Sequence, residues 1–202
     1  MLTDGDWRFV HDPKTPVFHQ PALWRPEVYP GTLILAGAPT AFDGAFLDPL
    51  NVERLATDRR DGDVRHVIFA DPEGDHRLAL HGADAAIRPA VIVPFDDDFE
   101  LRVGVLTRFY RRLCGKRADP PPRVLQLTPM RRARLILLLH TLDFRLSGAR
   151  PREIAAALLD AEAAKLPAIE WKSSATRRKA NRLIQDAVAL MKGGYRKLLR
   201  GG

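Results

Sequence analysis

The segment TPMRRARLILLLHTLDFRLSGARPREIAAALL, residues 128–159, reads as two helices around a tight corner. Thr128 is a good cap, and Pro129 stands at a first helical position, where proline's missing N–H would have had no partner anyway. The helix is expected to run to about Leu146, ended by Ser147-Gly148. Pro151 then opens a shorter helix over residues 151–159. A glycine-containing break of a few residues between the two suits an αα corner. Leu135 to Leu139 is apolar on every side, the pattern of a helix buried at the centre of a bundle.

Downstream, Asp160 to Lys172 is less regular: Ala and Glu favour helix, Pro167 disturbs it, and Trp171 anchors the return. A third helix is expected from Ser173-Ser174. At 100° per residue, Ala180, Leu183, Ile184, Ala187, Leu190 and Met191 gather on one stripe. Arg178, Arg182 and Gln185 fall opposite, with Ser174 and Asn181 on the shoulder. Core on one side and polar readers on the other is the layout of a recognition helix. Arg178, Asn181, Arg182 and Gln185 are the candidate base readers, because Arg offers a fork to guanine and Asn or Gln pairs with the adenine edge. Lys172, Ser173, Ser174, Arg177 and Lys179 are the candidate phosphate contacts, the hydroxyls lying at a helix N-terminus. A basic outer face is also what a solvated surface helix shows. Gly193-Gly194 breaks the helix, leaving Tyr195 to Arg200 as a short basic segment whose Leu198 and Leu199 pack back.

Charge divides the 202 residues in the same sense. Up to residue 122 there are 15 Lys and Arg against 19 Asp and Glu; from residue 123 there are 17 against six. A basic module joined to an acidic one delegates polyanion binding to the C-terminal half. With 46% hydrophobic and 28% charged residues, the chain has the composition of a folded protein. It carries neither a membrane-length apolar run nor a secretory signal at its start. One cysteine, Cys114, excludes an internal disulfide, and zinc-finger, zincin, dinucleotide, P-loop and hydrolase-elbow spacings are all missing.

The first half reads as a small α+β unit. A Pro-punctuated opening with Trp7, Phe9, Phe18, Trp24 and Tyr29 leads to a strand at Thr32–Ala36. Val64–Ala70 and Arg77–Leu80 form a hairpin, and Ala90–Val93 makes a fourth strand. Asp96-Asp97-Asp98 introduces a helix with Leu101, Val105, Phe109 and Leu113 spaced by four, covering one face of an antiparallel sheet. These acids are hard-metal ligand types. Capping and the helix dipole account for them as well, given Arg108, Arg111, Arg112, Lys116 and Arg117 at the other end. His76 and His81, five apart on a strand, face opposite sides and cannot share a metal. No Ser, Cys or His has a visible activating partner.

The segments LLLHTLDFRLSGARPREIAAALL and WKSSATRRKANRLIQDAVALMKGGYRKLL resemble the RovC-like DNA-binding domain over about residues 125–200. The LDxRLxGAxxREIA stretch and the MxGGYRxLL ending carry the resemblance. More loosely, WRPEVYPGTLILAGAP resembles the region preceding this domain in longer members. The family is a helix-turn-helix variant of proteobacterial transcription activators and antiactivators. The resemblance implies transcriptional control, of type VI secretion or of conjugative-element genes, or an antiactivator that grips another regulator through the same helical surface.

The expected architecture is therefore α+β: a small antiparallel sheet with one covering helix, followed by an all-α helix-turn-helix domain. The expected division is residues 1–118 for oligomer or partner contacts, a Pro-rich linker at 119–127, and a DNA-binding domain at 128–202. A cytoplasmic regulator is expected, with no catalytic residue, metal or cofactor. Its expected partners are double-stranded DNA, further copies of itself, and RNA polymerase or a separately encoded regulator. Self-association follows because one helix-turn-helix reads only a few base pairs.

Overall fold

The structure, a computed structural model, describes residues 22–47, 55–82 and 88–201. Trp7, Phe9 and Phe18 lie outside the described residues. Two compact units form, Met1–Gln126 with Leu199–Gly202, and Leu127–Leu198.

The first unit is built on five strands, β1 (Thr32–Gly37), β2 (Leu55–Asp61), β3 (Val64–Phe69), β4 (His76–His81) and β5 (Pro89–Ile92), in the order β2-β3-β4-β1-β5. Alternation along each strand puts Leu33, Leu35, Val67, Phe69, Leu78 and Leu80 into one core with Val105 and Phe109 of helix α1 (Phe99–Leu113). Each such side chain removed from water contributes about 2 kcal/mol, so this layer holds the unit together. The α+β class and the β3–β4 hairpin are as expected.

Two details of the sheet differ from expectation. It is mixed, because β1 pairs with β4 in parallel, Thr32 opposite Arg77 and Leu35 opposite Leu80, while β5 runs antiparallel to β1 on its other side. Inserting β1 between β4 and β5 gives Leu33 and Leu35 a neighbouring strand on each side and the cover of α1. The second difference is β2, whose sequence LATDRRD carries no alternating apolar signal because it is an edge strand with only Thr57 buried. The turn read at Asp61-Gly62-Asp63 connects it to β3, with Gly62 at φ 58°, a region that favours glycine.

Helix α1 also buries two arginines, Arg102 and Arg108, that helical periodicity would leave in water. Arg102 donates from Nε and Nη2 to Asp96, the latter at 2.8 Å, and from Nη2 to the Pro26 carbonyl. Asp96 is thereby held below the usual carboxylate range, first by this hydrogen bond. The acidic cluster thus differs from a simple cap: Asp98 occupies the cap position without a side-chain cap bond, and Asp96 is an ion-pair partner. Arg108, expected to complement the helix dipole in water, is instead 5% exposed. It donates to the carbonyls of Gly74, Asp75 and Asp119 and to Nδ1 of His76. The residues after α1 are fastened to this same unit through Arg108 and Arg111, which both reach Asp119, and Gln126 Nε2 donates to the Pro121 carbonyl within the segment.

The second unit contains α2 (Pro129–Leu146), α3 (Pro151–Leu158), the short α4 (Ala161–Lys165) and α5 (Ala168–Ser173), α6 (Ala175–Ala189) and the start of α7 (Tyr195–Leu199). Thr128 Oγ1 accepts from Arg131 N at 3.2 Å, the expected cap. The corner before α3 uses Gly148 at φ 90°, and the Arg150 N–H donates to the Glu153 carboxylate. Pro167 separates α4 from α5. Between α6 and α7, Leu190–Gly194 forms one wide turn with Gly193 at φ 119°.

Helices α2 and α6 meet through Leu138, Leu183 and Ala187, while Ala155, Trp171 and Ala180 form a second cluster joining α3, α5 and α6. Ile154 and Thr141 are fully buried. The expectation for α2 is overturned: only Leu138 and Thr141 of its 18 residues are buried. It has one packed side and one apolar side left open. A run of five apolar residues at helical pitch covers every direction, so periodicity alone could not tell a central helix from a flanking one.

Candidate nucleic-acid interface

The three helices that could read a duplex are assembled by short polar contacts as well as by the core. Arg134 of α2 pairs with Asp186 of α6 at 2.6 Å. Arg152, one residue into α3, donates from Nε to the Ala164 carbonyl at 2.5 Å and from Nη2 to the Leu166 carbonyl. Its guanidinium also lies over the Trp171 ring, 5.5 Å from the centroid. Both carbonyls lie around the α4–α5 break, so Arg152 fixes the chain just ahead of α6. Nothing in the sequence pattern singled it out, because a lone Arg beside a helix start reads as surface.

Helix α6 starts one residue later than read, with Ser174 as its cap and Ser173 closing α5. Ser174 Oγ accepts from Arg177 N at 3.0 Å and donates to the Trp171 carbonyl at 2.9 Å. Ser173 Oγ donates to the Glu170 carbonyl. Arg177 donates from Nη1 to the Lys172 carbonyl, and Arg178 from Nη1 to the Ser173 carbonyl, both at 2.7 Å. The two guanidinium groups therefore fold back over the last carbonyls of α5.

Arg178, Lys179, Arg182 and Gln185 are exposed, Asn181 is half-buried, and Lys172 and Ser173 are exposed just before the cap. Ala180, Leu183 and Ala187 are buried on the other side of the helix. The candidate readers and phosphate contacts thus run from the end of α5, Lys172 and Ser173, through the Ser174 cap into α6 as far as Gln185. The exposed side offers four N–H-rich side chains, complementary to phosphate oxygens and to acceptor-rich base edges. Among the described residues, no group of three or more His, Cys, Asp or Glu is arranged to hold a metal, and no helix is long and apolar enough to cross a membrane.

The helical unit thus turns the cationic side of α6 outward from a small core. The comparison with known families assigns the class. Residues 92–200 match the RovC DNA-binding domain, described as the DNA-binding domain of a type VI secretion (T6SS) transcription factor, and the chain belongs to that family. This is a class of transcription-factor domains and not a class of enzymes. The match starts at Ile92 in β5, earlier than the resemblance at 125–200, and so includes α1. Residues 31–91, which hold β1 to β4, match a domain of unknown function, DUF7012. Among curated proteins the chain has no match.

Proposed function

We propose that the protein is a sequence-specific transcriptional regulator that reads the major groove with α6 in a helix-turn-helix arrangement. The observation that carries this reading is the match of residues 92–200 to a transcription-factor DNA-binding family. In it, Arg178, Asn181, Arg182 and Gln185 reach base edges, while Lys172, Ser173, Ser174, Arg177 and Lys179 hold phosphates. Arg177 and Arg178 exchange the carbonyls of Lys172 and Ser173 for DNA on binding. Residues 128–202 act as the DNA-binding domain, residues 1–118 supply oligomer or partner contacts, and 119–127 join them. The protein works in the cytoplasm, without catalysis, as a homo-oligomer that brings two recognition helices to half-sites about one turn apart. Activation of type VI secretion or conjugative-element genes, through RNA polymerase or a separately encoded regulator, is the regulatory role proposed. The cations on α6 weigh against an antiactivator that grips a protein through that same surface.

The test is capture and sequencing of genomic fragments at physiological salt, beside an Arg178→Glu/Arg182→Glu variant. A recurring site captured by the wild type and lost in the variant is expected. Equal, sequence-blind capture by both would overturn the reading.

A further inference from the structure

The open side of α2 lines an apolar groove of about 430 Å³ that lies wholly within the helical unit. Its wall includes Ile136, Leu139 and Leu142 of α2, Leu190 and Met191 of the wide turn, and Leu198 of α7. Leu139 is 59% exposed, Ile136 48% and Met191 47%, an unusual cost for three large side chains on one surface. Arg132 is the charged residue of the lining, and Lys192 follows Met191 in the chain. Among the described residues neither makes an ion pair. Asp143, four residues after Leu139, is the acid that helical spacing places beside this face.

From this we infer that the groove receives an amphipathic helix of another protein whose apolar stripe is flanked by carboxylates. Apolar walls with leucines a turn apart accept side chains at i, i+3 and i+7 of a docked helix. The free Arg132 and Lys192 select acids beside that stripe. A second copy is disfavoured as occupant, because the same face on both partners would bring these cations together, in a unit with 15 Lys and Arg against six Asp and Glu between Leu127 and Leu198. Ala187, Leu190 and Met191 lie on the side of α6 and its extension away from Arg178, Arg182 and Gln185. The docked helix therefore leaves the cationic side uncovered, and the inference stands whether or not that side reads DNA.

Two labelled peptides with the same leucine stripe, one flanked by Glu and one by Lys, would be titrated with the full chain by fluorescence anisotropy. The Glu peptide is expected to bind about ten-fold more tightly or better, and Leu139→Glu and Ile136→Ser each to weaken it by about ten-fold. Both positions are exposed, so the helical spectrum of each variant should match the wild type. Equal affinity for the two peptides, or Glu-peptide binding untouched by Leu139→Glu, would overturn the inference. So would self-association in sedimentation that Leu139→Glu abolishes, which would give the groove to a second copy.

Discussion

Arg152 spans the α3–α5 corner by lying over the indole of Trp171, 5.5 Å from its centroid, while donating to the carbonyls of Ala164 and Leu166. Trp171 is in turn packed against Ala155 and Ala180, and its carbonyl accepts from the Ser174 cap of α6. One side chain thus connects α3 to the start of α6. Arg152→Ala should lower unfolding stability by about 1–3 kcal/mol, from the lost stacking and the two carbonyls left without their donor. Arg152→Lys should recover only a small part, because an ammonium cannot both stack flat and donate to two carbonyls. Urea unfolding followed by circular dichroism would measure both; full rescue by Lys would contradict this account.

Arg177 and Arg178 make matching hydrogen bonds to α5, yet different losses are expected from them. Arg178 is exposed on the side shared with Arg182 and Gln185, whereas Arg177 is half-buried nearer the flank. Arg178→Ala should cost about 1–3 kcal/mol on the preferred site and relax preference there. Arg177→Ala should weaken preferred and random duplexes alike and reduce the salt slope by about one. Binding isotherms on both duplexes across a salt series separate the two; equal losses on specific and random DNA for both variants would refute the division of labour.

The helical half was legible because its signals are local. Thr128-Pro129, Gly148, Pro151 and Pro167 mark ends by backbone chemistry that no tertiary contact overrides, and the α6 stripe is long enough to fix its buried side. The sheet was legible where a run of apolar residues marks a strand, which is why β1, β3, β4 and the edge strand β5 were found and the polar edge strand β2 was not. Pairing order is set by contacts distant in sequence, so the parallel β1–β4 pair left no local mark. The buried Arg102 and Arg108 were hidden for a related reason: their compensating partners, Pro26, Gly74, Asp75 and Asp119, come from loops whose approach only the folded chain reveals. The candidate site on α6 was legible as a pattern of type and spacing, but Arg152, which positions it, was not.

Ile154 is fully buried in the helical unit and sits at the α3 face turned toward its neighbours. Ile154→Asp takes a carboxylate out of water at a fully buried position, a cost of several kcal/mol against a small unit's marginal stability. The helical signal from residues 127–198 should be lost on this substitution, and DNA binding with it. Ile169→Asp is the control, since Ile169 is 81% exposed and should tolerate the change. An unaltered helical spectrum for Ile154→Asp would contradict the assigned core.

His76 gives the sheet unit a pH dependence whose direction can be worked out. Its ring is 3% exposed, edge-on to Phe109, with Nδ1 accepting from Arg108 Nη1 at 3.0 Å. Burial first, and then the Arg108 guanidinium, pushes its pKa down to about 4; Asp71 opposes this from 3.8 Å and Arg112 adds to it. The unfolded chain, near 6.5, binds a proton that the folded state refuses between these two values. Stability is therefore full above about pH 6.5 and falls as pH drops toward 4, by up to about 3 kcal/mol at 1.36 kcal/mol per pH unit. His66, also depressed by burial, acts in the same direction. Asp58 and Asp96, lowered by their arginine partners, add a loss only below the ordinary carboxylate range. His76→Asn keeps an acceptor for Arg108 and removes the titration. Its unfolding free energy should be lower than wild type at pH 7 but should change less between pH 7 and pH 5. Parallel pH profiles for the two proteins would show that His76 is not the titrating group.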